Sequence, residues 1–293
     1  MNITIKDNIS EVVIAPDLGA SILAYTYIAN NKSISIFPNR IGVEDVTSTA
    51  CFPLVPFSNR IREGKFTWQD KDIQLPLNQL PELHANHGHG WQVKWQVIEQ
   101  SDASVTLSYS YTSNDWPFPY QAIYRFELQN GELLQTLTLK NVGTSEMPAG
   151  LGLHPYFSRT KQASLVADVS KMWEVDHESM PIKVIDAPSC IQSTSGMVMN
   201  SHQLDNTFID FPAKAEVSWP EWNVKADITA SENCKFMVVY SPKEEDFFCV
   251  EPVTHSPDAI NMHSQGIENT GFSSLRPNKE MSIWMKVAPK MSH

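Results

Sequence analysis

Residues of alternating polarity recur along this chain, and a two-residue period suits strands that bury one face and expose the other. In 104–112 the apolar Val105, Leu107, Tyr109 and Tyr111 share a face, with Ser and Thr between them. Leu137 and Leu139 stand opposite Thr136, Thr138 and Lys140, and Val224, Ala226 and Ile228 alternate with Lys225, Asp227 and Thr229. Near the C-terminus Ile283, Met285 and Val287 oppose Ser282, Trp284 and Lys286. Asn130-Gly131, between YRFELQ and ELLQTLTLK, supplies two residues that tolerate positive φ, as a two-residue hairpin turn requires. Convincing amphipathic helices are missing, and strands do not alternate with helices as they do in a parallel sheet. The pattern predicts an all-β fold, a large antiparallel β-sandwich. No repeat, low-complexity tract or linker divides the chain, so residues 1–293 are expected to form a single domain.

Composition narrows the function. Basic residues number 22 against 33 acidic ones, a formal charge of −11. A nucleic-acid backbone or an anionic membrane needs clustered Lys and Arg, so neither is an expected partner. No run approaches the ~20 apolar residues of a spanning helix. The start, MNITIKDNISEVVIAPD, lacks the basic, apolar and small-residue regions of a signal peptide, which predicts a cytoplasmic protein. Cys51, Cys190, Cys234 and Cys249 show no CxxC spacing and read as free thiols.

Four segments stand apart from ordinary strand and loop sequence. In FPLVPFSNRI at 52–61, two prolines hold the chain extended before Asn59 and Arg60, an amide and a donor fork suited to hydroxyl or carboxylate groups. A surface turn whose Arg pairs with a carboxylate would look the same. HANHGHGW at 84–91 places His84, His87 and His89 within six positions. Zinc could bind such a set, but the spacing matches no zinc motif, and a glycine-bearing loop that presents imidazole and the Trp91 indole to a sugar or a base fits better. GLGLHPYF at 150–157 sets His154 in an apolar run and fixes it extended before a proline, either as a core histidine or as an acid or base at the mouth of the sandwich. FFCVEPVT at 247–254 interrupts an apolar strand with Glu251, which needs a partner or an opening, and whose pKa an apolar surround would raise.

Together these segments resemble the aldose 1-epimerase, or galactose mutarotase, family: NRI at 59–61, HG at 87–88, HPYF at 154–157, LDNTF at 204–208 and VEP at 250–252 occur in the family's order. The resemblance implies the galactose mutarotase-like supersandwich. It also implies that Glu251 is the general base, that His154 is the general acid, and that His87 binds the sugar and assists the acid. Arg60 would donate to ring hydroxyls and Asp205 accept from them, with Asn59, His89 and Trp91 beside them. The chain departs from the galactose-specific pattern in reading HGHGW where HGG is usual and in having Asn206 where a His commonly follows the Asp. The reaction class survives those departures. The sugar's identity stays open, as does whether His87 or His89 assists the acid.

The implied chemistry takes a proton from the C1 hydroxyl and gives one to the ring oxygen, from groups on opposite sides of that bond; C1–C2 rotation and reclosure yield the other anomer. It requires no metal or other cofactor. Two readings compete on the same fold: a sugar-phosphate mutarotase, for which Arg62 and Lys65 could supply cations, and a non-catalytic carbohydrate-binding or regulatory protein. A zinc hydrolase at His84, His87 and His89 is the outlier. Either a monomer or a homodimer is compatible with the sequence.

Overall fold

The alternating segments pair into two large antiparallel sheets in the computed structural model, which describes residues 2–112 and 114–292. One sheet has nine strands, in the order Gln96–Gln100, Ser104–Tyr111, Tyr120–Gln129, Glu132–Asn141, Glu280–Met291, Val224–Ala230, Lys214–Trp219, Ser164–Ala167 and Met197–Val198. The other has eight. Seven run in the order Pro181–Asp186, Lys171–Val175, Leu204–Ile209, Phe236–Ser241, Phe247–Val253, Gly152–Leu153 and Pro53–Leu54, and Tyr156–Ser158 also pairs with Phe247–Val253. A four-stranded meander, Ile3–Lys6 through Lys32–Phe37, adds its apolar side to the same core. Among the described residues the only α-helix is Ala259–Ser264, and no helix is long and apolar enough to cross a membrane.

The nine-stranded sheet follows its sequence pattern closely. Val224–Ala230 buries every second residue, as does Tyr120–Gln129 over most of its length. Asn130 and Gly131 turn that strand into the next with φ of 54° and 81°, so that Gln129 faces Glu132. Leu133, Leu137, Leu139, Ile283, Met285 and Val287 point inward and are fully buried, whereas Trp284 stays on the outer face. Polar residues share the inner face, Gln135 among them. Gln135 accepts from Tyr124 Oη and from Cys51 Sγ, satisfying its carbonyl inside the core.

In the eight-stranded sheet, residues directly opposite across a ladder share a face. Phe248 and Val250 turn inward with Met237, Val239 and Phe208 and join the main core. The other face carries Phe247, Cys249 and Glu251 in one column. Glu251 lies opposite Val238, and Cys249 lies opposite Tyr240 and Tyr156, with Asp205 opposite Tyr240 in the next strand. A smaller apolar cluster that includes Phe52, Trp91, Tyr156, Val238 and Cys249 covers part of this face. The remainder is open, and His154 and Glu251 lie there, on the outward face of a sheet instead of at the mouth of the sandwich.

Candidate active site

A polar cleft of about 570 Å³ opens on that outward face. Its lining includes Phe52, Asn59, Arg60, His87, Trp91, His154, Tyr156, Asp205, Tyr240 and Glu251. Residues far apart in sequence therefore meet at one place.

The NRI and HANHG segments reach it together because they pair with each other, Arg60 opposite Asn86 and Ile61 opposite Ala85. Asn59 and His87 lock the junction. Asn59 N–H donates to His87 Nδ1 at 3.0 Å, and His87 N–H donates to the Asn59 carbonyl at 3.0 Å. An accepting Nδ1 on a neutral ring leaves the ring proton on Nε2. Burial, aided by His154 and Arg60, holds His87 well below the usual imidazole range, so it is a neutral donor. Both His87 (φ 59°) and Gly88 (φ 67°) are left-handed, and a Cβ at Gly88 would lie 2.3 Å from the Val55 carbonyl oxygen.

That double left-handed turn sends His89 elsewhere. Its ring stacks on Tyr111 at 4.5 Å, meets the Tyr120 hydroxyl at 3.3 Å and is absent from the cleft lining. Burial pushes it down to about 4. The expectation that His89 lines the site is corrected accordingly. Trp91 does border the cleft, but it is 1% exposed, stacks on Phe52 at 5.5 Å and donates its indole N–H to Gly88 O. It backs the wall and offers no open face to a sugar. The His84 ring diverges as well, accepting from Glu63 N–H and facing Glu178 at 3.5 Å. The three imidazoles of this loop do not converge on a common ion.

His154 is held by its backbone, which donates to Phe52 O at 3.1 Å, while Tyr156 N–H donates to Ala50 O. Its ring packs against Phe52 (4.5 Å) and stacks on Tyr156 (5.0 Å), two rings that also meet each other at 6.0 Å, and this three-ring cluster restrains the imidazole. Its Nε2 sits 3.3 Å from Glu251 Oε1. Glu251 is 1% exposed, and its second oxygen, like His154 Nδ1, has no hydrogen-bond partner among the described residues. Such atoms favour a ligand that would satisfy them. The two side chains stand side by side in the cleft lining.

Burial disfavours charge on both members. It drives Glu251 well above the carboxylate range, reinforced by Asp205 and opposed by Arg60, and it pushes His154 down to about 3, with Arg60 acting in the same direction. Carboxylic acid with imidazole, and carboxylate with imidazolium, contain the same number of protons. The pair thus holds one proton in either arrangement, and burial favours the neutral one.

Arg60 bridges the floor and rim of the cleft. Its Nη2 lies 3.4 Å from Asp205 and its Nε 3.4 Å from Glu82, a residue the sequence reading did not single out. Asn59 Oδ1 accepts from the Arg60 backbone N–H at 2.9 Å. Asn206, next to Asp205, turns away and donates to Trp173 O. Arg62 and Lys65 lie outside the cleft, facing Asp258 and Glu63 respectively, so they supply no cation to its rim. Its cations are Arg40 and Arg60, against Glu82, Asp205, Glu245 and Glu251.

Among the described residues, His154, Cys249 and Glu251 form a group whose ligating atoms all lie within 4.8 Å of one another. Burial, then the neighbouring Glu251, pushes the Cys249 thiol well above its usual range, so it is protonated and poorly suited to a metal. Cys51 and Cys234 are also buried and free, whereas Cys190 is half-buried.

A model of the aldose 1-epimerase family matches residues 1–288 of the chain. YphB of Escherichia coli K12, described as an uncharacterized protein, is 30% identical over 220 residues, covering 72% of this chain and 75% of its own. The aldose 1-epimerase of the same organism is 21% identical over 192 residues, 61% of this chain and 54% of its own. The crystal structure of a galactose mutarotase-like protein from Clostridium acetobutylicum shares the fold with a TM-score of 0.86 at 20% identity, covering 99% of this chain and 95% of that one.

Proposed function

The chain belongs to the aldose 1-epimerase family, and on that premise we propose that it is a mutarotase interconverting the α and β anomers of a free, uncharged hexose or related aldose. The observation that carries this reading is the His154–Glu251 contact of 3.3 Å on the floor of a polar cleft, with one further polar atom on each side chain unpartnered.

In the proposed mechanism the sugar binds with C1 over the pair. Glu251, as carboxylate, takes the C1 hydroxyl proton, and His154, as imidazolium, gives its proton to the ring oxygen. The C1–O5 bond breaks and an aldehyde forms. What remains is a carboxylic acid beside a neutral imidazole, the arrangement that burial also favours before the sugar binds, so the charged starting pair is reached by moving one proton from Glu251 to His154. After rotation about C1–C2, His154 recovers the proton from the C5 hydroxyl as that oxygen attacks C1, and Glu251 returns its own to the carbonyl oxygen. The proton count of the pair is unchanged over the cycle. Arg60 and Asp205 orient ring hydroxyls as donor and acceptor, and His87 donates from Nε2. Each positioned acid or base supplies ~10²–10⁴-fold.

An uncharged substrate is supported by the cleft's charge: four carboxyl residues outnumber two arginines, and both arginines already face carboxylates. A phosphate would meet no free cation among these lining residues. Polarimetry of freshly dissolved α-glucose and α-galactose tests the reading. Wild type should bring the rotation to equilibrium faster than buffer, whereas folded Glu251→Gln and His154→Asn should approach the spontaneous rate. Variants that match wild type would refute the assignment.

A further inference from the structure

The segment that carries Asn59 and Arg60 belongs to a two-stranded ribbon only two residues long, Arg60–Ile61 against Ala85–Asn86. Several of its backbone N–H groups go to side chains, and three of the acceptors are imidazoles. Ser58 N–H donates to His255 Nε2 at 3.3 Å, Asn59 N–H to His87 Nδ1 at 3.0 Å and Glu63 N–H to His84 Nδ1 at 3.1 Å. Arg62 N–H donates to Asp258 Oδ1 at 3.0 Å, and Asp258 N–H donates to Arg60 O at 2.7 Å. Residues 255–258 therefore grip positions 58–62 from one side, and the loop 84–87 grips positions 59–63 from the other.

His255 is 7% and His84 1% exposed, and neither is among the residues that line the cleft, so neither touches the sugar. An imidazole that accepts a backbone N–H is neutral and keeps its proton on the other nitrogen. His255 thus carries the proton on Nδ1, 3.0 Å from Thr254 Oγ1, and His84 carries it on Nε2, which faces Glu178 Oε2 at 3.5 Å. Burial supports the neutral form of His255 by pushing it down to about 4. The ring is closely wedged as well, because a Cβ on Gly150 would lie 2.2 Å from its Cε1. His255 follows Glu251 by four residues, and Thr254 N–H donates to Leu151 O at 2.9 Å between them. One stretch of chain therefore carries the proposed base and holds the segment that bears Arg60.

We propose that His255 and His84 are positioning residues: two buried imidazoles outside the cleft that accept the Ser58 and Glu63 N–H groups and so hold Asn59 and Arg60 within reach of the sugar hydroxyls. This inference rests on the mutarotase reading and deepens it with residues that act through Arg60. Glu251 is placed by its ladder with Phe236–Ser241, and His154 by its N–H bond to Phe52 O. Loss of the brace therefore weakens sugar binding and leaves proton transfer intact.

The test exploits matched replacements. Gln sets an amide oxygen near the place of a histidine Nε2 and Asn sets one near that of Nδ1, whereas Met and Leu have similar size without that acceptor. In glucose mutarotation His255→Gln and His84→Asn should keep KM close to wild type, and His255→Met and His84→Leu should raise it about tenfold, the scale of one hydrogen bond, with kcat unchanged. Rings that merely fill space would give the reverse order, since an apolar replacement suits a buried position better than an amide. Long-range proton–nitrogen NMR of the wild-type imidazoles requires no variant: His255 should be the Nδ1–H tautomer and His84 the Nε2–H tautomer. Amide hydrogen exchange at Ser58 and Glu63 should be slow in wild type and about tenfold faster at the affected position in the Met and Leu variants. Equal KM within each matched pair, a fall in kcat at unchanged KM, or either ring in the opposite tautomer would overturn the brace. Acceleration of no sugar by wild type would overturn the mutarotase reading instead, and the tautomers and amide exchange would still decide whether the brace exists.

Discussion

The two large sheets obey one rule of alternation and use it differently. In the nine-stranded sheet one face is core and the other is a mixed polar surface, with Thr136, Thr138, Ser282 and Lys286 outside and Leu137, Ile283 and Val287 inside. In the eight-stranded sheet the inward face is equally apolar, but the outward face holds Asp205, Tyr240, Glu251 and the imidazole of His154 beneath covering loops. Stability is thus concentrated between the sheets, and the proposed chemistry on the back of one of them. Buried charge is costly, and the buried Glu251 lies on the face where a polar ligand would satisfy it.

Substitutions that separate the two roles should expose this contrast. The largest effect is expected at the acid–base pair. Glu251→Gln should lower kcat/KM by ~10²–10⁴-fold without lowering the melting temperature, because it removes a carboxyl group that burial disfavours as an ion. Leu137→Ala should do the reverse, costing about 2–5 kcal/mol in denaturant unfolding while the folded fraction keeps its kcat/KM. Arg60→Ala comes next: losing its charge-assisted contacts to substrate, about 1.5–3 kcal/mol, should reduce kcat/KM roughly 10–100-fold. It should also raise Glu251 further, since Arg60 is the neighbour that opposes that rise.

The pH profile is a smaller and finer test. A buried imidazole held at about 3 gains its extra proton far below 6.5, where a free one titrates. Steady-state kcat/KM should therefore stay level as pH falls through 6.5, and an acid limb centred there would mean that His154 is not desolvated as described. Stability should respond in the same interval. His255, which lies outside the reaction cleft, is pushed down to about 4 by burial, so its contribution is complete above 6.5 and is lost as pH falls toward 4. His89 acts with the same sign, and Glu251, raised instead of lowered, acts with the opposite one. Replacing His255 with Gln should flatten the acid side of the stability curve if the variant folds. The smallest effect belongs to the outer face of the nine-stranded sheet, where Thr138→Ala should change stability by no more than about 0.5 kcal/mol.

The same comparison explains what could be read from the sequence. The middle strands of the nine-stranded sheet were legible because each buries one face and leaves the other toward water, and the Asn130-Gly131 hairpin carried its own turn chemistry. Gln135 was hidden there, since a polar residue amid alternating leucines gives no sign that Tyr124 and Cys51 will meet it. In the other sheet the convergence of Arg60, His87, His154, Asp205 and Glu251 followed from a family resemblance; no local period encodes it. Glu82, Arg40 and Glu245 were missed because each reads as an ordinary surface charge until distant loops are brought together. His89 was misplaced for a local reason: two successive left-handed residues reverse its direction, and only Gly88 carries a visible signal of that turn.

Exchange of magnetisation between the α and β anomers of glucose at equilibrium measures the central claim most directly, since it requires no net conversion and reads ring opening and closure in both directions. Wild type should raise the exchange rate above the spontaneous one, Glu251→Gln and His154→Asn should each abolish most of that gain, and the double variant should lose little more, because the two groups handle one proton between them. Exchange that survives in the folded double variant at the wild-type rate would contradict the account.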